Sequence, residues 1–97
     1  MKAVYILQKN NRNVYDSLIA DDVVGRQTVI LKDASTYVQS LDGYLIYYEG
    51  SAEAAKRMED VSNGLVKRLD PRLEKEVLDK IREEDDKAEG GMGFLFG

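Results

Sequence analysis

The 97-residue chain contains no cysteine, no histidine, no tryptophan and a single proline. Without cysteine there is no disulfide, no thiolate nucleophile and no zinc–thiolate site, and the redox compartment leaves no mark. Without histidine the commonest metal ligand and general base is missing as well. The two absences together exclude Ser-His-Asp, Cys-His and zinc-hydrolase chemistry. Long apolar runs are missing too. The opening run, Ala3 to Leu7, stops after five residues, too short for a signal-peptide core or a membrane span. The protein is therefore read as cytoplasmic, with no membrane contact.

Charge of one sign is not in large excess. The net charge is −4, with five basic and six acidic side chains in residues 1–50 and nine and twelve in residues 51–97. An acidic chain with interleaved signs is a poor match for non-specific nucleic-acid binding, which rests on phosphate neutralisation. Nucleic acid is the less favoured partner. The hydrophobic fraction of 43% suffices for one domain with a core of its own.

What is present centres on Gly43 to Leu69. Tyr44-Leu45-Ile46-Tyr47-Tyr48 is apolar or aromatic throughout, the pattern of a strand covered on both faces. Ser51 is placed to cap the following helix, and Glu53 suits its first turn. Ala54, Ala55, Met58, Val61, Leu65 and Leu69 recur at three and four, one face of a helix. Gly64 costs roughly 1 kcal/mol in a helix interior, which allows a kink or an early stop. The stripe favours a helix that continues to Leu69.

Before this stretch, Ala3–Leu7 reads as another internal strand. Lys9 to Asn13 is a polar loop, with Asn13 as N-cap of a short helix to Ala20. Val23 to Leu31 is rich in β-branched residues and reads as strand, with Gly25 a bulge or a break; a hairpin of residues 19–24 against 26–31 competes with it. Asp33 caps a helix carrying Ala34, Tyr37, Val38 and Leu41, closed by Gly43. After it all, Asp70-Pro71 opens a last helix, to about Ala88, with Leu73, Val77, Leu78 and Ile81 on one side. Four i, i+4 ion pairs are available on it, Arg72–Glu76, Lys75–Asp79, Glu76–Lys80 and Glu83–Lys87. Alternating strands and helices predict an α/β or α+β fold. It has a three- to four-stranded sheet, mixed or parallel, and two C-terminal helices. Residues 1–89 form the domain and residues 90–97 a glycine-rich apolar tail.

Two candidate functional regions follow. Parallel strands would align their carboxyl ends on one edge, where open α/β sheets bind ligands. That edge would gather Lys9, Asn10, Asn11, Arg12, Lys32 and Ser51 for a nucleotide-like anion beside helix N-termini. As plain structure, the same residues are turns, caps and solvated charges. No phosphate-loop or dinucleotide fingerprint accompanies them. Tyr44, Ile46 and Tyr48 share a strand face, as a base-stacking platform would, though core packing suits them better. The acidic run Glu83-Glu84-Asp85-Asp86 does not converge on a cation, because successive helical residues point about 100° apart. No cofactor and no metal is expected.

The second region is the tail. Met92, Phe94, Leu95 and Phe96 are strongly apolar, whereas Gly90, Gly91 and Gly93 oppose a helix. Burying them against a protein partner, or a second copy of the chain, would gain several kcal/mol at about 25 cal/mol per Å². The expected function is a non-enzymatic protein-interaction module, with small-anion binding at the strand edge as the alternative.

Overall fold

The structure is a computed structural model that describes the backbone of residues 1–96 and the side chains of residues 1–84. Four strands, β1 (Lys2–Leu7), β2 (Thr28–Asp33), β3 (Tyr44–Glu49) and β4 (Val66–Arg68), form one sheet in the order β2-β3-β1-β4. The α+β class and the four strands agree with expectation. The strand direction does not, because every pairing is antiparallel rather than parallel or mixed. The reason is the insertion of β3 between β1 and β2. These two point the same way without touching, and residues 34 to 43 are too short a connection to carry β3 round to a parallel position. With α1 (Asn13–Ala20) between β1 and β2 and α3 (Ala52–Val61) between β3 and β4, the connectivity and strand order are those of the split β-α-β, ferredoxin-like plan. That plan hosts many functions and assigns none.

Side-chain alternation along each strand feeds two apolar layers. On one face Ala3, Tyr5, Leu7, Ile46 and Tyr48 pack with Leu18 of α1 and Ala54, Ala55 and Met58 of α3. On the other, Val4 and Leu45 meet Ala34 and Tyr37 of α2 (Ala34–Tyr37) and Val77 and Ile81 of α4 (Pro71–Phe96). The tyrosine-bearing face of β3 is thus core. Ile46 and Tyr48 are fully buried, and the Tyr5 and Tyr48 rings meet edge to face at 6.4 Å.

Several local expectations are revised. The segment around Gly25 is a 3-10 turn, Val24–Arg26, ahead of β2. The Asp21 carboxylate holds that turn by accepting the backbone N–H groups of Val23 and Val24 at 3.1 and 3.0 Å. Asn13 is the first residue of α1 rather than its cap. Asp33 does cap α2, accepting the Ser35 N–H at 3.1 Å. That helix ends at Tyr37 because Val38 is extended, although Val38 and Leu41 still pack on the second layer.

The largest revision concerns residues 62 to 69. Ser51 caps α3 as expected, accepting from Ala54 at 3.1 Å, but α3 stops at Val61. Asn63 and Gly64 both adopt positive φ, 55° and 75°, a left-handed stop. The Gly64 N–H then closes on the Glu59 carbonyl at 3.0 Å. The apolar positions Leu65 and Val66 therefore lead into strand, not helix, and the last two helices are separated by β4.

Asp70 and Pro71 open α4 as read from the sequence, with Asp70 accepting the Arg72 N–H at 3.1 Å. The helix continues past Ala88 to Phe96, where a glycine hinge had been expected. The side chains of Met92, Phe94, Leu95 and Phe96 lie outside the described ones. Among the described residues, the ion pairs are Arg12–Asp16, Lys32–Glu84, Arg57–Asp21 and Arg68–Glu74. Three tie separate elements together, whereas the expected pairs Arg72–Glu76, Lys75–Asp79 and Glu76–Lys80 are not among them. Lys87 of the fourth expected pair, Glu83–Lys87, lies outside the described side chains.

Candidate ligand cleft at the strand ends

Antiparallel pairing divides the six residues expected to form one anion site. β3 runs opposite to β1 and β2, so its carboxyl end lies at their starts, with Glu49 opposite Lys2 and Thr28. Ser51 therefore stands at the far end of the sheet. It is occupied there as a helix cap, and its carbonyl accepts the Tyr48 hydroxyl at 2.5 Å. Gly50, beside it, exchanges backbone hydrogen bonds with Met1.

Arg12 and Lys32 remain at the carboxyl ends of β1 and β2 but engage different layers. Arg12 pairs with Asp16 at 3.4 Å and lies 5.7 Å from the centre of the Tyr15 ring. Lys32 faces α4, 3.7 Å from Glu84 and 5.6 Å from the centre of the Tyr37 ring. The Tyr37 hydroxyl donates to Glu84 at 2.9 Å, and Lys80 donates to the Tyr37 carbonyl. Burial pushes the Tyr37 phenol above its usual range, only partly offset by Lys32. This cluster fastens α2, β2 and α4 to one another.

Lys9, Asn10 and Asn11 stay together in the 3-10 turn Lys9–Asn11 that follows β1. They border two adjoining hollows. A cleft of about 200 Å³ is lined by Ile6, Gln8, Asn11, Asp42, Gly64, Leu65 and Lys67. A more open depression beside it is lined by Gln8, Lys9, Asn10, Asp42 and Gly43. Gln8 and Asp42 belong to both. Asp42 accepts the Gly43 N–H at 2.9 Å, and Gly43 takes φ 93° where its backbone closes on that of Leu7 and Lys9.

Sequence reading named only Lys9, Asn10 and Asn11 of these residues and missed Ile6, Gln8, Asp42, Gly43, Gly64, Leu65 and Lys67. Gln8 lacks charge, Asp42 reads as a turn residue, and Leu65 and Lys67 lay in a segment read as helix. The antiparallel β1–β4 pairing, with Lys67 opposite Ile6 and Val66 opposite Leu7, brings that segment to the end of β1. The pattern that could have revealed it is Asn63-Gly64, a left-handed turn signal ahead of a β-branched residue.

Elsewhere, a groove along the β4 edge is lined by Met1, Tyr5, Ala52, Ala55, Lys56, Glu59 and Arg68. Burial raises the Tyr5 phenol above its usual value, helped by Glu59 and opposed by Arg68. Arg68 is already committed to Glu74, through Nε at 2.9 Å and a second nitrogen at 3.0 Å. Among the described residues no group of acidic side chains could hold a metal ion, and no helix is long and apolar enough to cross a membrane. No family model, no curated protein and no solved structure matches this chain.

Proposed function

We propose that the protein is a non-enzymatic, cytoplasmic interaction module whose C-terminal apolar residues bind a protein partner. The observation that carries this reading is the continuity of α4 from Pro71 to Phe96. One helix links Val77 and Ile81, which are buried in the second layer, to Met92, Leu95 and Phe96, spaced at three and four along the same element. Apolar residues at that spacing are what a helix offers to a hydrophobic groove on another protein. The core-packed first half supports the second, because an anchored helix loses less entropy on docking than a free peptide. The absence of histidine and cysteine favours binding over chemistry.

The test compares the full chain with a version ending at Glu89 and with the full-length double variant Phe94→Ala/Phe96→Ala. Both are expected to keep the melting behaviour of the domain, residues 1–89, and the truncated chain to lose only the helical signal of the removed end of α4. Both are expected to lose a partner or a self-associated species seen with the full chain by sedimentation and affinity capture. Unfolding of both variants would make the tail part of the core and end the proposal. Unchanged sedimentation and capture would end it equally.

A further inference from the structure

The cleft at the end of β1 has a composition that plain turns and caps do not require. Its apolar wall is Ile6 and Leu65, and Leu65 is 43% exposed, high for a leucine at the base of a strand. Its polar wall is the carboxamides of Gln8 and Asn11 and the ammonium of Lys67. No hydrogen bond or ion pair ties these three side chains to other described residues. Lys9, on the adjoining depression, is in the same position. Asp42 is the one carboxylate present, and one of its oxygens is engaged with the Gly43 N–H. Within the cleft Lys67 faces the single carboxylate of Asp42. With Lys9 of the adjoining depression, the two hollows together carry two uncommitted ammonium groups against one partly engaged carboxylate, a local positive excess in a chain whose overall charge is −4.

The glycine at its rim is there for conformation. A Cβ on Gly64 would meet nothing within 4 Å, so φ 75° and not lack of space selects glycine. The turn of Asn63 and Gly64 aims Leu65 and Lys67 at the end of β1, and two adjacent left-handed residues fix that aim. Ile6 and Lys67 thus stand on two paired strands, β1 and β4, while Gln8 and Asn11 come from the turn that follows β1, Leu65 from the turn ahead of β4 and Asp42 from the loop ahead of β3.

We infer that this cleft binds a small organic carboxylate with an apolar body. The carboxylate would sit by Lys67, with the Gln8 and Asn11 amide N–H groups donating to its oxygens, and the apolar part would cover Ile6 and Leu65. At about 200 Å³ the cleft is below the roughly 300 Å³ at which pockets for larger ligands begin. It excludes a dinucleotide. The apolar wall separates an organic acid from a bare inorganic anion, which would leave Leu65 exposed.

The test is an amide NMR titration of the full chain with sodium benzoate, against sodium chloride at matched ionic strength and against inorganic phosphate. Benzoate is expected to shift the signals of Gln8, Asn11, Gly64, Leu65 and Lys67 together and saturably, with chloride giving no such set. Lys67→Gln and Leu65→Ser are each expected to weaken the apparent affinity at least fivefold, while Lys56→Gln leaves it unchanged. Lys67 and Leu65 are both surface residues, so one folded variant suffices to decide. Overturning results are shifts that follow ionic strength alone, affinities indifferent to both variants, or phosphate binding the same residues as tightly as benzoate. The Phe94→Ala/Phe96→Ala protein should bind benzoate normally, which separates this inference from the fate of the C-terminal reading.

Discussion

The carboxylate of Glu74 accepts the backbone N–H of Val4 at 3.1 Å. Val4 is in β1 beyond the last residue paired with β4, so its outward N–H has no strand to bond. Its carbonyl takes the Leu69 N–H at 3.0 Å, and Glu74, from the first turn of α4, supplies the missing acceptor. Arg68 clasps the same carboxylate with two nitrogens at 2.9 and 3.0 Å. Glu74 is only 8% exposed, so a side chain substitutes for a missing strand and locks α4 onto the sheet. Replacing Glu74 by Ala should cost about 1–3 kcal/mol, the usual loss when a buried donor is left unmet. Denaturant unfolding would measure it, and a change below about 0.5 kcal/mol would show that water replaces the acceptor freely.

The same carboxylate gives a pH dependence of known sign. Burial alone would raise its pKa, but the hydrogen bonds from Arg68 and Val4 outweigh that and hold it below the ordinary 4.5. The unfolded chain then binds the proton more readily than the folded one. The contribution is therefore present above about pH 4.5 and lost as pH falls through the lower folded value. The stability gap between wild type and Glu74→Gln should be largest near neutrality and shrink in acid. A gap that widened below pH 4 would contradict this assignment.

Asp21 offers a direct titration. It accepts from Arg57 at 2.9 Å and from the N–H groups of Val24 and Val23. With the Arg57 hydrogen bond as the main cause, its pKa is lowered to about 2. Carboxyl-detected NMR should find its midpoint near that value. Arg57→Gln should raise the midpoint while the two backbone donors keep it below the ordinary range.

Much of the fold was legible because some signals are local. The run Tyr44–Tyr48, the caps Asp33 and Ser51 and the Asp70-Pro71 start each act within a few residues, and each stands where it was read. Strand direction is not local. It depends on β3 passing between β1 and β2, and with it went the grouping of Ser51 with Lys9 to Arg12. Leu65, Val66 and Leu69 fit both a helical and a strand period over so short a span, so the Asn63-Gly64 stop was outvoted. Only the rim of the cleft and its adjoining depression was visible, for the same reason. Lys9, Asn10 and Asn11 follow a recognised strand, whereas Leu65 and Lys67 reach it only through the β1–β4 pairing.

The core predicts a large loss at its centre. Ile46 is fully buried in the layer beneath α1 and α3. Ile46→Ala should cost about 2–5 kcal/mol, the transfer loss plus the cavity left behind. A loss under about 1 kcal/mol by thermal or denaturant unfolding would mean that the layer collapses around the gap.

Two glycines separate the two reasons for having one. A Cβ on Gly25 would collide with the carbonyl oxygen of Ile19, a backbone atom that cannot move without disturbing the end of α1. Its φ is not in the left-handed region, so the requirement is space alone. Gly64 is the converse, with φ 75° and open surroundings. Gly64→Ala should cost about 1–2 kcal/mol, the penalty of an L-residue in the left-handed region, and Gly64→Asn less, since Asn tolerates that conformation. At Gly25 both substitutions should be destabilising by about 1–3 kcal/mol or more, as overpacking is, with Asn worse than Ala because it is larger. The ordering of Ala and Asn should therefore reverse between the two sites. Urea midpoints of the four variants would decide, and the same order at both positions would defeat the distinction.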